Sequence, residues 1–243
     1  NKGGSIGAAI NFVVNPVNDS PIGKPTTTFD AITEDLTYYI LKDSDYFQGF
    51  SDPDGDTLQA INIKPTNATI IKNADGTWNL TPNTNFNGTF LLTYDVIDNK
   101  GGSVGATMSF VVKPANDLPI GYVNISGLAA QGQTLIASNV LTDVDGIGAI
   151  TYQWLRDGTA INAATQSTYT LTQADVGKKL SVKASYTDAL GTAESVSSAA
   201  TTNVANVNDT PTGNVTITGS AAMNQLLTAS NNLVDVDGLG VIS

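Results

Sequence analysis

The 243-residue chain contains no cysteine and no histidine. Without cysteine, neither disulfides nor thiolate metal sites are available. Without histidine, the commonest general base and the usual zinc or copper ligand are missing. Glutamate is nearly absent too: of 22 acidic residues, only Glu34 and Glu194 are not Asp. Aspartate is a poor helix former that favours turns and calcium loops, so the bias points to a loop-rich β protein with acids at its strand ends. Lys and Arg together number 11, leaving a net charge of −11. That balance argues against nucleic acid and anionic membranes as partners. No apolar run approaches the roughly 20 residues of a membrane span, and no charged-then-apolar signal segment opens the chain, so direct membrane insertion is not expected.

What the sequence does have is self-similarity. Residues 1–23 return 98 positions later as 99–121, identical at 16 of 23 positions, and residues 121–151 return 92 positions later as 213–243. Units of that length are whole small domains rather than solenoid turns of about 20–50 residues. The layout expected is a window on a tandem array. Residues 1–17 are the last strand of one repeat, 18–115 and 116–207 are complete sandwiches, and 208–243 are the first strands of another. Phe12, Val14, Ile217 and Leu227, in the partial repeats, should then be more exposed than Phe110, Val112, Ile125 and Leu135 in the complete ones, because a sandwich core needs its opposing sheet.

Short alternating or β-branched runs, punctuated by turn residues, dominate the chain. Strands are expected near 25–33, 36–41, 57–64, 67–73, 76–81, 88–97 and 103–113, with Asn73-Ala-Asp75-Gly76 as a hairpin turn. The stretch 41–50 could hold a helical turn. Seven strands in one unit fit an all-β immunoglobulin-like sandwich. The second unit reads the same way, with Trp154 on an alternating strand and Asp157-Gly158 as a turn. Both Trp154 and Trp78 are expected in cores rather than on sugar-stacking surfaces, and Lys178-Lys179 in a solvated turn. Asn18-Asp-Ser-Pro21, Asn116-Asp-Leu-Pro119 and Asn208-Asp-Thr-Pro211 mark short linkers, since proline stops a ladder and favours extended chain before it.

The candidate chemistry lies in Ser51-Asp52-Pro-Asp54-Gly-Asp56-Thr57. Asp, Pro and Gly are ordinary turn residues, but three carboxylates in one tight loop repel one another unless a cation neutralises them. Calcium takes six to eight hard oxygens at about 2.3–2.6 Å, which such a loop can partly supply. Strands lettered A to G in chain order alternate between the two ends of a sandwich. That places Asp52, Asp54 and Asp56 (B–C loop), Asp98 (F–G loop) and Asp19 (linker) together. The second unit repeats the layout with Asp117, Asp143, Asp145 and Asp188, and the third start with Asp209, Asp235 and Asp237. Glu34-Asp35, in the first A–B loop, lies at the opposite end, facing the second linker.

These residues carry a resemblance. The unit from about 20 to 115, with Ile32-Thr-Glu-Asp35, Ser51–Thr57, Asp75-Gly-Thr-Trp78-Asn-Leu-Thr-Pro82, Asn85-Phe-Asn-Gly-Thr89 and Asp98–Ser103, resembles the cadherin-like tandem repeats of giant bacterial surface adhesins. Tyr152-Gln-Trp-Leu-Arg-Asp-Gly158 and Leu171-Thr-Gln-Ala-Asp-Val-Gly177 resemble immunoglobulin-like repeats of the same secreted, often RTX-type, proteins. Lys179 and Ser181 stand where an immunoglobulin corner has Tyr and Cys. The resemblance implies calcium (Ca2+) ligation by Asn116, Asp117, Asp143 and Asp145, with Glu34 as a basal acid. It further implies an extracellular location, a role in adhesion or biofilm, and neighbouring repeats as partners, with cell-surface glycans or proteins met through other domains. Two rivals stand beside this calcium-stiffened extender. One is a carbohydrate-binding accessory module, which needs exposed coplanar aromatics. The other is an enzyme, disfavoured by the missing His and Cys.

Overall fold

The structure, a computed structural model, describes residues 2–242. Among them are 18 strands, one short α-helix and one 3-10 turn, and no helix is long and apolar enough to cross a membrane. The chain divides into two compact units, Asn1–Ala115 and Asn116–Ser243.

Unit one contains β1 (Ile22–Gly23), β2 (Ile32–Thr33), β3 (Tyr39–Leu41), α1 (Asp43–Phe47), β4 (Phe50–Ser51), β5 (Gln59–Pro65), β6 (Ala68–Lys72), β7 (Trp78–Pro82), β8 (Gly88–Ile97) and β9 (Ser103–Lys113). One sheet has the order β2-β9-β8-β5, the other β3-β7-β6, and β1 pairs with β4. β2 runs parallel to β9, with Ile32 opposite Val112; the remaining pairs are antiparallel. Alternation along β8 and β9 turns Phe90, Leu92, Tyr94 and Val96, and Met108, Phe110 and Val112, into the core. Leu41 and Leu80 face them from the other sheet. Phe90 stacks on Phe110 with centroids 5.0 Å apart. Burial of each such side chain contributes about 1.5–3 kcal/mol.

The long strands fall where alternation put them, but the strand expected over 25–33 is broken. Pro25 has no N–H to continue a ladder. The backbone on either side of it, Lys24 and Thr26, donates to Gly49 and Gln48. The chain then crosses to the other sheet as β2. The expected 36–41 strand shortens to β3, and the helical turn within 41–50 is α1. There Asp45 accepts the Lys42 N–H at 2.8 Å, and the carbonyl of buried Tyr46 accepts the Tyr94 hydroxyl at 2.9 Å. Trp78 is half-buried against Tyr46, its indole N–H donating to Asp43 at 2.7 Å and the Lys72 ammonium 4.9 Å from its ring. Gly76, at φ +88°, closes the β6–β7 hairpin.

Residues 2–21 form no strand. Phe12 and Val14 are 83% and 87% exposed, whereas Phe110 and Val112, their counterparts in the repeat, are 1% and 2% exposed. The same sequence pattern is a strand only where β8 and β2 lie alongside it.

Unit two contains β10 (Val123–Ser126), β11 (Thr134–Asn139), β12 (Thr151–Arg156), β13 (Thr159–Ala160), β14 (Thr168–Thr170), a 3-10 turn (Gln173–Asp175), β15 (Leu180–Thr187), β16 (Ala193–Ser197), β17 (Val215–Thr218) and β18 (Thr228–Asn231). The sheet β10-β11-β14 faces the sheet β13-β12-β15-β16, and β17-β18 forms a separate hairpin. Trp154 is fully buried between the first two sheets, its indole N–H donating to the Gln166 carbonyl at 2.9 Å. Asp157 (φ 47°) and Gly158 (φ 82°) supply the two positive φ angles of a tight hairpin turn. Lys178 and Lys179 pack beside that turn, against Asp157. Leu135 in β11 is fully buried and Ile125 in β10 half-buried, while Ile217 and Leu227, in and beside β17–β18, are exposed. No sheet among the described residues faces that hairpin.

Asp175 is fully buried and locks this unit. It accepts from Arg156 Nε at 2.7 Å, from Tyr169 at 3.1 Å and from the N–H and hydroxyl of Thr172. Burial pushes its carboxyl up, but the guanidinium and Thr172 donors outweigh burial and hold it below the ordinary value. Asp175→Ala should therefore destabilise unit two by about 3 kcal/mol, because Arg156 is left facing an uncompensated site. Urea denaturation should show unit one's transition unmoved. In the wild type the folded-state value lies below the unfolded one. This contribution is thus complete above about pH 4 and is lost as pH falls through the lower folded value.

Candidate functional site

One local geometry occurs three times. In the first loop Asp52 Oδ1 accepts the N–H groups of Asp54 and Asp56 at 2.9 and 3.2 Å, and its carbonyl accepts from Gly55. Asp143 accepts from the Asp145 N–H at 2.9 Å and Asp235 from the Asp237 N–H at 2.8 Å, with Gly146 and Gly238 closing their turns in the same way. Gly55, Gly146 and Gly238 all have φ near +80 to +100° (79°, 92° and 98°), which disfavours a side chain there. One oxygen of each leading Asp is therefore committed to the turn. The second Asp acts differently, because its carboxylate accepts a backbone N–H from the linker. Asp19 donates to Asp54 at 2.7 Å, Asp117 to Asp145 at 2.6 Å and Asp209 to Asp237 at 2.6 Å. The linker aspartates and the loop aspartates thus meet as the repeats require.

Around this shared core the ends differ. In unit one the carboxylate oxygens of Asp52, Asp54 and Asp56 come within 4.8 Å of one another. The Lys100 ammonium sits 2.5 Å from Asp56 Oδ1. Asp56, followed by Asp54 and Asp52, holds that ammonium's pKa above its usual value. Asp98, 2% exposed, accepts from Asn18 Nδ2 at 2.7 Å and from the Lys100 and Gly102 N–H groups. These donors, Asn18 first, keep its carboxyl below the ordinary range. Asp52 Oδ2 and Asp56 Oδ2 are buried without a hydrogen-bond partner.

In unit two Asp188 occupies the place of Asp98 and is 6% exposed. Its Oδ1 accepts the Thr192 N–H at 2.7 Å, but its Oδ2 has no partner. The Ala189 N–H beside it donates to the Asp145 carbonyl at 3.0 Å. The Tyr186 hydroxyl donates to Asp143 Oδ2. Burial, then Asp143, Glu194 and Asp188, raise the pKa of that phenol, so several carboxylates surround one hydroxyl. The amide of Asn116 goes to Glu194 Oε1 at 2.9 Å. At the third loop Asn206 and the Asp209 N–H share Asp237. The Asp209 N–H, then Asn206, lower its pKa.

Glu34 lies at the other end of unit one, as expected. It is 2% exposed, and it accepts from the Ala115 N–H at 2.8 Å and from Asn87 at 3.3 Å. Asp35 is exposed at φ 61°, a left-handed turn conformation that Asp tolerates, and among the described residues it is not grouped with other acids. Gln131 takes the corresponding place in unit two. Its Oε1 accepts from Val207, 92 positions after Ala115, at 3.3 Å, and its Nε2 donates to Asp209 at 2.8 Å. Lys100, Glu194, Tyr186 and Gln131 are the members that sequence reasoning missed. The 98-position offset carries Glu34 to Gly132, one position past Gln131, and the roles of the others depend on strand register.

Residues 17–113 match the family described as Cadherin-like domain. No curated protein matches the chain. Among solved structures it is similar to the human desmocollin-1 ectodomain, at 15% identity over 91% of this chain and 47% of that one, TM-score 0.35. It is also similar to a protocadherin gammaB7 cis-dimer (14%, 80% and 53%, TM-score 0.38). A third likeness is to an endo-fucoidan hydrolase from glycoside hydrolase family 107 (18%, 80% and 30%, TM-score 0.34). The chain spans between about a third and a half of these structures' own lengths.

Gly102 packs against both Asp98 and the linker; a Cβ there would lie 2.7 Å from Ser20 Cα. Gly102→Ala should push linker and carboxylate apart and destabilise unit one by about 1–3 kcal/mol. Thermal melting in chelator should show it.

Proposed function

We propose that the chain is a run of calcium-stiffened structural extender repeats of a bacterial cell-surface or secreted adhesin, acting outside the cell. The observation that carries this reading is the buried, unpartnered Oδ2 of Asp188 beside the Asp143–Tyr186 pair. A buried carboxylate oxygen without a donor is costly, and a hard divalent cation that prefers oxygen ligands is the partner that suits it. Asp52 Oδ2 and Asp56 Oδ2 make the same case in unit one. The donor set fits calcium, being all oxygen with no His or Cys. Asp143, Asp145 and Asp188 with Asp117 would hold an ion in unit two, and Asp52, Asp54 and Asp56 with Asp19 in unit one. The ion would supply positive charge that binds linker and loop carboxylates together.

The chain's own residues do the rest. The Asp19 and Asp117 N–H groups already dock each linker on the loop of the sandwich that follows. Fixing the linker side chains as well would stiffen the start of every repeat, which is what an extender needs. The cadherin-like match over 17–113 supports this reading. The role is architectural rather than catalytic. The carbohydrate-binding alternative draws no support from the two tryptophans: Trp154 is buried, and Trp78 is engaged by Asp43 and Lys72.

Calcium should raise the melting temperature. Mass action adds RT ln(1 + L/Kd), about 2.7 kcal/mol at a hundredfold excess over Kd. A melting curve identical in millimolar calcium and in chelator would rule the metal out. Asp143→Asn combined with Asp145→Asn should leave the sandwich cores folded but shorten the maximum dimension seen by small-angle scattering in calcium. An equally extended double variant would mean that proline and direct packing hold the joint.

A further inference from the structure

The F–G turns of the two units share a frame and differ in one cross-strand pair. Asp98 and Asp188 each donate their N–H to, and accept one from, the residue four positions on, Gly102 or Thr192. Just before the turn, Val96 faces Val104 in unit one and Tyr186 faces Glu194 in unit two. The linker asparagine reflects this difference. In unit one, where Val104 offers no acceptor, Asn18 gives its amide to Asp98 Oδ2. In unit two Asn116 gives its amide to Glu194 at 2.9 Å and to the Asp117 carbonyl at 3.1 Å, and Asp188 Oδ2 is left buried without a donor.

We propose that Glu194 is a positioning residue. By capturing the Asn116 amide it keeps Asp188 Oδ2 available to a divalent cation, and so makes the start of unit two the tighter of the two sites. The inference rests on the calcium reading above. Unit one is neutralised from within: Asn18 covers Asp98, and Lys100 covers Asp56. Asp52 Oδ2 and Asp56 Oδ2 stay bare there, but an arriving cation meets the Lys100 charge beside them and finds Asp98 already capped. At the corresponding positions unit two has Glu194 holding the amide and Leu190 in place of Lys100. Its carboxylates therefore keep their charge for an external ion.

Calorimetric titration of the full chain with calcium chloride separates the possibilities. Glu194→Val, which recreates the Val104 arrangement, should free Asn116 to cap Asp188 and weaken the tighter class of site on the order of tenfold, as loss of an outer hydrogen-bond partner does. Glu194→Gln retains an amide oxygen able to accept from Asn116, so its affinity should stay close to wild type. Both variants should melt like wild type in chelator. Wild-type affinity in Glu194→Val would overturn the proposal. Equal weakening in both variants would overturn it too, since Glu194 would then act through its charge. A wild-type chain that takes up no calcium would instead defeat the extender reading from which the proposal starts.

Discussion

The bond from a linker aspartate's N–H to the carboxylate of the second loop aspartate recurs at Asp19–Asp54, Asp117–Asp145 and Asp209–Asp237, and the rest of each site is arranged around it. It is a charge-assisted hydrogen bond, stronger than a neutral one, and it sets where the linker leaves the loop. It also creates a problem. Docking an aspartate on an aspartate turn brings several carboxylates together in a chain with twice as many acidic as basic residues. Backbone N–H groups answer part of that repulsion, as the committed oxygens of Asp52, Asp143 and Asp235 show. The oxygens left over need another source of positive charge.

The ends of the repeats meet that need differently. Unit one recruits Lys100 and the Asn18 amide. The third loop is served by neutral amides, Asn206 on Asp237 and Gln131 on Asp209. In unit two a hydroxyl, Tyr186, serves Asp143, while Asp188 keeps a bare oxygen. Glu34 and Gln131 contrast in the same way. Both accept a backbone N–H, from Ala115 and Val207 respectively, yet only Glu34 brings a charge. One scaffold thus carries sites of graded electrostatic demand.

Much of the fold is legible in the sequence because alternation is a local signal. β8 and β9 run over 88–97 and 103–113, where period-2 burial placed them. Trp154 enters the core for the same reason. Strand A departs from expectation because the consequence of Pro25 is tertiary: the chain changes sheet, which a run of extended residues does not announce. The Asp-x-Asp loops and linker aspartates are visible as repeated spacing, and their mutual docking follows from strand counting. What escapes is register. Glu194 matters because it faces Tyr186 across a ladder and intercepts Asn116, and no spacing along the sequence encodes that. Gln131 escapes because an uncharged side chain does not stand out among acids.

The exchange of Val96–Val104 for Tyr186–Glu194 shows how little of the sandwich such a site disturbs. Both pairs occupy the same rung beside the same turn, and both units keep a buried apolar core beneath it. In unit one that rung only packs. In unit two it has acquired a hydroxyl and a carboxylate at the sheet's end, close enough to the linker to redirect one amide. Core rungs carry the folding energy through buried area, so they resist such polar substitution. Here Val96 and Tyr186 both stay buried and only Val104 and Glu194 are half-buried, so the exchange keeps a packed side chain on the rung and adds polar atoms towards the sheet's end. Repeats that share a linker-to-loop hydrogen bond can therefore differ in the charge and hydrogen bonding around it through the exchange of a single cross-strand pair.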